Sequence, residues 1–226
     1  MRAEDSRPLV SVVIPAFNEA AVVGPVVARV RDRFPCVVVV DDGSTDGTGA
    51  ICRATGAAVV THAVNRGTGA ALATGIAWAL RRGADVIVTF DGDGQHRVED
   101  LDPLIAPILE GRADVALGSR FLSSASRIPA GRRLILKAAV RFTRALAGIR
   151  VTDTHNGLRA MSRYAATQIE IHQDRMAHAS EILNEIGRLK LRFCEVPIEI
   201  TYTHYSRRKG QRSLNAVNVM WELLVR

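Results

Sequence analysis

Between Val86 and Phe90 five consecutive residues are apolar or β-branched, and at Asp91 the chain passes without transition into Asp-Gly-Asp-Gly-Gln-His, ending at His96. A run this short and this apolar is too short for a helix but suits a strand buried on both faces, which needs helices above and below it. The pattern recurs at Leu9–Ile14, Cys36–Val40, Ala57–Thr61 and Asp114–Leu117. Pro15 stops the first of these. The second empties into Asp41-Asp42-Gly43-Ser44-Thr45-Asp46-Gly47-Thr48, a loop of turn formers and helix N-caps, and the last ends in Gly118-Ser119-Arg120. Amphipathic stretches lie between. One follows Asn18 and Glu19 as far as Arg33; another follows Asn65-Arg66-Gly67-Thr68-Gly69 and puts Leu72, Ile76, Ala79 and Leu80 on one side. Repeated strand–helix alternation implies right-handed crossovers, and so an α/β fold with a mostly parallel central sheet flanked by helices.

Beyond Arg120 the rhythm changes. Ser123–Gly131 reads as a loop and Arg132–Leu146 as a helix with Ile135, Ala139, Phe142 and Leu146 on one face. Arg133, Lys137, Arg141 and Arg144 fall opposite, a pattern that suits either an anionic membrane surface or simple solvation. Asp153-Thr154-His155-Asn156-Gly157-Leu158-Arg159-Ala160 closes on a short strand, and His178–Arg188 is helical. Phe193–Thr203 holds one or two strands broken at Pro197. A basic glycine-containing loop follows, His204 to Arg212, and then an amphipathic segment, Leu214–Val225, too short to span a bilayer.

A length of 226 residues supports one domain with a substantial core. Thirty Lys and Arg against 23 Asp and Glu give a net charge of +7, which favours an acidic partner such as a nucleotide or a phospholipid headgroup. The cysteines, Cys36, Cys52 and Cys194, form no C-x-x-C pair and no even set, which points to reduced thiols in a cytoplasmic setting rather than a disulfide framework or a zinc site. No apolar run reaches ~18 residues, and Met1–Pro8 lacks the apolar segment of a signal peptide.

Asp91 and Asp93, spaced i and i+2 across a glycine, can converge on a hard divalent cation such as Mg²⁺ or Mn²⁺. A loop at the carboxyl end of a central strand is also where open α/β sheets bind ligands. Taken alone, the same residues could equally form a solvated acidic turn. Five motifs in one order sharpen the choice: Pro15-Ala16-Phe17-Asn18-Glu19, Asp41 to Thr48, Asn65-Arg66-Gly67, Asp91 to His96, and Gly118-Ser119-Arg120. Together, over residues 9 to 215, they resemble glycosyltransferase family 2, in particular its dolichol- or polyprenol-phosphate sugar synthase-like branch.

The resemblance implies the nucleotide-diphospho-sugar transferase (GT-A) fold, inversion at the anomeric carbon and a divalent metal. It implies a nucleotide-sugar-binding half over about residues 9–120 and an acceptor-side half over about 121–226. Pro15, Phe17, Glu19 and Asp41 would hold the nucleoside, and Asp42 would shape its loop. Asp91 and Gly92 would face the nucleotide sugar, while Asp93, with Gln95, would hold the metal on the diphosphate of a UDP- or GDP-linked donor. Arg120 and the cluster Arg207, Arg208 and Lys209 would neutralise phosphates, arginine offering a planar two-pronged donor. Thr68 stands where relatives often carry lysine, which removes one phosphate contact.

The acceptor can be approached through its nucleophile. A sugar or alcohol hydroxyl needs a side chain to take its proton, whereas a lipid phosphate is already ionised near pH 7. Asp153, His178 and Glu181 are the candidate bases, and no motif of their own announces any of them. Asp153 opens a stretch like the family's Asp-Thr-x-x-Gly-[Phe/Leu]-Arg-Ala, which leaves it either a base or a residue that positions the acceptor. Glu181 with His178 would order the sugar or serve as a base, and His178 equally suits a structural role. With Arg133, Lys137, His178, Arg208 and Lys209 on the acceptor side, a polyprenyl phosphate at the inner face of a membrane is the expected acceptor. A soluble enzyme of the same family with a hydroxyl acceptor is the alternative. A dinucleotide-binding oxidoreductase fails because Leu72 occupies the third-glycine position after Gly67-Thr68-Gly69 and Asp91-Gly92-Asp93 goes unexplained. Nucleic-acid binding has no support beyond the net charge, since aromatic residues do not interleave with the basic ones.

Overall fold

The computed structural model describes residues 7–123, 149–154 and 156–201. One seven-stranded sheet contains β1 (Val10–Ala16), β2 (Cys36–Asp41), β3 (Ala58–Thr61), β4 (Val86–Thr89), β5 (Val115–Ser119), β6 (Arg159–Ser162) and β7 (Phe193–Pro197), in the spatial order β3-β2-β1-β4-β6-β5-β7. β6 runs antiparallel to β4 and β5, and the other pairings are parallel. Because β6 is reversed, its first residues lie at the sheet end where β4 and β5 finish, with Arg159 beside Thr89 and Leu117.

Helices α1 (Val23–Arg33), α2 (Thr48–Ala54), α3 (Thr68–Arg81), α4 (Leu101–Leu109), α5 (Arg163–Gln168) and α6 (His178–Arg188) cover the two faces. Val12, Ile14, Val37, Val39, Val86 and Val88 point to one face and meet α1 through Val23, Val27 and Val30, and α4 through Leu101, Leu104 and Ile108. Val13, Val38, Ile87 and Val115 point to the other, against Leu72 and Ile76 of α3 and Ile182, Leu183 and Ile186 of α6. Both faces are covered, which is why the strands read as unbroken apolar runs rather than alternating ones. Each such side chain contributes about 1.5–3 kcal/mol relative to exposure.

Pro15 does not end β1; it sits inside it, paired in register with Val40. Val13 is the last β1 residue in register with β4, and its carbonyl accepts from Phe90 N–H. By strand alternation the Pro15 nitrogen faces the same side, past the end of β4, so no ladder hydrogen bond is lost. Helix α4 carries two prolines; Pro103 falls in the first turn, where its missing N–H costs nothing. After β7 the chain makes one further bridge, Ile200 with His96, and Thr201 N–H donates to the Gln95 carbonyl. The basic helix and basic loop, with Arg133, Lys137, Arg207, Arg208 and Lys209, lie outside the described residues.

Candidate active site

The carboxyl ends of β1 and β2 are stitched into one wall. Asn18 N–H donates to Ser44 Oγ (3.0 Å), Glu19 N–H to Thr48 Oγ1 (2.8 Å), Ala20 N–H to Asp46 Oδ2 (3.0 Å), and Thr45 N–H returns to Asn18 Oδ1 (2.9 Å). Asp41 is buried and accepts Ser44 N–H at 3.0 Å. Phe17 stands 40% exposed at the rim, outside the core. Asp42 is buried and turned inward: its carboxylate accepts Arg66 N–H (3.0 Å), Gly67 N–H (2.7 Å) and Asn65 Nδ2–H (2.9 Å), with His62 Nδ1 at 2.7 Å. It therefore shapes the Asn65–Gly67 turn.

Asp91 and Asp93 follow β4. Burial opposes ionisation of Asp91, but the His96 Nε2 hydrogen bond (3.0 Å) and the charges of His96, Arg159 and His178 more than offset it, leaving the carboxyl below its ordinary range. The Asp91 carboxylate lies flat against Gly157, where a Cβ would fall 2.3 Å from Oδ2 and 2.4 Å from Oδ1. Thr89 Oγ1–H holds the Gly157 carbonyl at 2.6 Å. Asp93 is displaced the other way: burial first, then repulsion from Asp91, push its carboxyl up. Gln95 orients it, donating from its backbone N–H (3.0 Å) and its Nε2 (2.6 Å).

Three residues assigned roles from sequence have partners within the chain. Arg120 and Asp153 take each other: Nε and Nη2 meet the two carboxylate oxygens at 2.6 Å each, and Arg120 N–H adds a third bond at 3.1 Å. Both side chains are buried, so Asp153 is a guanidinium partner rather than a ready base, and Arg120 is bound to a carboxylate within the chain. Glu195 fixes the preceding segment, accepting Thr152 N–H (2.7 Å), Thr152 Oγ1–H (2.7 Å) and Asp153 N–H (3.2 Å). Glu181, the other carboxylate proposed for catalysis, accepts His172 N–H (3.1 Å) and Gln173 N–H (2.9 Å), and so clamps a loop.

That loop rests on the turn before α3. The Asp174 carbonyl accepts Gly69 N–H (2.8 Å) and Ala70 N–H (3.3 Å), occupying the helix N-terminus with protein oxygen. The position of Thr68 is therefore part of a docking surface, and its lost lysine bears less on phosphate binding than the sequence suggests. His178, buried at the start of α6, bonds the Arg175 carbonyl through Nδ1 at 2.6 Å.

Arg159, His96, Gly157 and Glu195 belong to the site but carried no role in the sequence reading. Arg159 had a visible signal, being the one charged side chain in the run Leu158–Met161. It is 2% exposed, and burial pushes its pKa down to about 10 against the pull of Asp91 and Asp153. The others act through the third dimension: Gly157 matters because Asp91 arrives from 66 residues upstream.

The donor set fits a hard divalent ion. Its atoms are oxygens, and the mutual repulsion that raises Asp93 is what a dication relieves. Among the described residues no group of three or more His, Cys, Asp or Glu side chains forms a closed cage.

Comparison with known proteins gives the fold and the family. Among solved structures, glucosyl-3-phosphoglycerate synthase from Mycobacterium tuberculosis superposes with a TM-score of 0.74 over 96% of this chain and 79% of that one, at 22% identity, and shares the fold. The UDP-N-acetylglucosamine–dolichyl-phosphate N-acetylglucosaminyltransferase of Methanococcus voltae is 30% identical over 96% of this chain and 95% of its own length. The polyprenol monophosphomannose synthase of Mycolicibacterium smegmatis is 34% identical over 92% and 82%. The family model for glycosyl transferase family 2 matches residues 11–170, which carry the Asp41 loop, the Asp91–Asp93 pair and β6. This chain belongs to glycosyl transferase family 2, and it is a glycosyltransferase.

Proposed function

We propose that the chain transfers a sugar, with inversion, from a nucleoside-diphosphate sugar to a polyprenyl phosphate. The observation that carries the acceptor half is the state of the carboxylates proposed as bases: Asp153 is held in a two-pronged pair with Arg120, and Glu181 by two backbone N–H groups. A hydroxyl acceptor needs a base placed to take its proton; an ionised phosphate brings its own nucleophilic oxygen and needs only alignment. The relatives named for dolichyl phosphate and polyprenol monophosphomannose match nearly the whole chain, which supports a polyprenyl phosphate as acceptor.

On the donor side Pro15, Phe17, Glu19 and Asp41 line the nucleoside wall, and Asp91 with Gly92 faces the sugar diphosphate. Asp93, oriented by Gln95, would hold Mg²⁺ or Mn²⁺, with phosphate oxygens completing the shell. When bound, the ion neutralises the charge that gathers on the departing nucleoside diphosphate. Arg133, Lys137, Arg207, Arg208 and Lys209 would serve the phosphates and an anionic membrane surface from the cytoplasmic side, with His178 at the acceptor end of α6. No helix among the described residues is long and apolar enough to cross a membrane.

The test is a panel of UDP- and GDP-sugars with Mn²⁺ or Mg²⁺, scoring nucleoside diphosphate release with a short polyprenyl phosphate against the matching polyprenol. Release is expected with the phosphate alone, and Asp93→Ala is expected to abolish it with every donor. Equal turnover with the alcohol would refute the acceptor, and an active Asp93→Ala protein would refute the metal site.

A further inference from the structure

Arg159 is a cation in a place where proteins seldom leave one unbonded. It lies on β6 between β4 and β5, two residues after the glycine that bears the Asp91 carboxylate. The residue is 2% exposed, and its Nη1 is buried without a hydrogen-bond partner among the described residues. Asp91 and Asp153 both act on it. Yet each has its hydrogen bonds elsewhere, Asp91 with His96 and Asp153 with Arg120. A buried charge with no hydrogen bond at one of its nitrogens is costly unless the field around it is favourable. That field comes from the carboxylates.

The same field runs in the other direction. Asp91 and Asp93 are two carboxylates on one short loop, close enough for repulsion to be felt at Asp93. A dication would be drawn to such a pair. Arg159 adds a fixed positive charge that acts on Asp91 from the protein side, with its Nη1 buried away from solvent.

We propose that Arg159 is a positioning residue for the metal–donor complex: a built-in cation that holds Asp91 toward β6 and weakens the hold of the empty acidic loop on a free divalent ion. The ion is then retained well only when a nucleoside diphosphate brings further negative charge. This rests on the metal site proposed above. In chemical terms Arg159 makes the loop a receptor for a metal–diphosphate pair rather than for a metal. Its effect is electrostatic, so it survives replacement by lysine better than replacement by a neutral side chain.

The experiment measures Mn²⁺ binding to the full chain by electron paramagnetic resonance, without nucleotide and with UDP or GDP. In the natural protein Mn²⁺ should bind at least about tenfold more tightly with one of the nucleotides than without either. Arg159→Met should tighten Mn²⁺ binding to the nucleotide-free protein by about tenfold, shrink the effect of nucleotide, and still lower turnover because Asp91 is no longer held. Arg159→Lys should stay within about threefold of the natural protein in Mn²⁺ affinity, since the charge remains. A merely structural role predicts the opposite sign, weaker Mn²⁺ binding in Arg159→Met. Unchanged or weakened binding in that variant, with Mn²⁺ bound normally by the natural protein, overturns the inference and leaves the metal site standing. No Mn²⁺ binding by the natural protein under any condition overturns both. Should Arg159→Met not fold, Arg159→Gln carries the same expectation, and equal Mn²⁺ affinity of the natural protein with and without nucleotide overturns the inference without any variant.

Discussion

Gly69→Ala sets two physical effects of opposite sign against each other, and the structure says which is larger. Gly69 is the second residue of α3. By helix propensity alone, alanine there should stabilise the protein by up to about 1 kcal/mol. A Cβ at Gly69, however, would fall 1.9 Å from the carbonyl oxygen of Gln173 and 3.0 Å from its carbon. To reach ordinary contact the carbonyl must retreat by roughly 1.5 Å. It is not free to do so, because Glu181 holds the Gln173 and His172 N–H groups and Asp174 is bonded to α3 through its own carbonyl. Retreat breaks the Gly69–Asp174 and Ala70–Asp174 hydrogen bonds, about 1 kcal/mol each. The strain of overpacking adds about 1–3 kcal/mol.

After subtraction of the propensity gain, Gly69→Ala is expected to destabilise by about 2–4 kcal/mol, a fall of roughly 5–15 °C in Tm for a chain of this size. Thermal unfolding followed by far-ultraviolet circular dichroism reads this directly. Ala77→Gly, at an exposed position of the same helix, calibrates propensity on α3 itself and should cost about 1 kcal/mol. A Gly69→Ala protein with unchanged or raised Tm would show that the 172–175 loop does not dock on α3 as described, and the coupling of the two halves through that turn would go with it.

Two further outcomes follow from the geometry. Gly157→Ala places a Cβ within 2.3–2.6 Å of all three carboxyl atoms of Asp91, so the carboxylate must swing away; a displacement of that order is expected to lower sugar-transfer turnover by about a hundredfold, read as nucleoside diphosphate release, while far-ultraviolet spectra stay native. At the sheet edge, the Arg192 hydrogen bond, with burial opposing it, holds Asp114 below the ordinary carboxylate range, so folding binds fewer protons there than the unfolded chain does. Its contribution, about 0.5–1 kcal/mol after solvent screening of the exposed arginine, is present above the unfolded value near 3.8 and is lost as pH falls through the lower folded value. Asp114→Asn should therefore be less stable than the natural protein in urea at pH 7, and the two curves should converge in acid; a gap that persists at pH 2 would refute the linkage.

The fold was legible because burial on both faces leaves a simple trace: Cys36–Val40 is apolar throughout and Val86–Phe90 is apolar or β-branched, and each ends in a loop of the candidate site. The expected helix over His178–Arg188 matches its observed ends. What escaped were partnerships across the chain. Arg120 and Asp153 each look like isolated functional residues in sequence, 33 positions apart, and nothing local says that β5 and the segment before β6 bring them within 2.6 Å. Glu181 reads as a free carboxylate because its partners are backbone N–H groups, which every sequence has everywhere. Pro15 reads as a strand stop but sits inside β1, because the cost of proline depends on whether a neighbour needed the missing N–H.

These partnerships have a common direction. The Asp42 carboxylate organises the Asn65–Gly67 turn; that turn leads into Gly69, which receives the Asp174 carbonyl; the loop carrying Asp174 is clamped by Glu181 of α6; and α6 begins at His178, whose charge acts on Asp91. Residues that sequence assigns to donor and acceptor halves are thus joined by hydrogen bonds from Asp42 as far as Glu181, and from α6 the charge of His178 reaches back to Asp91. A shift of the Asp41–Asp42 loop on taking up a nucleoside would be felt at the start of α6 through those hydrogen bonds, without any domain movement. The glycines of Asn65-Arg66-Gly67-Thr68-Gly69 are on this view there for the loop that lands on them, and a Gly-rich turn before a helix need not be read as a phosphate cradle when a carbonyl already fills it.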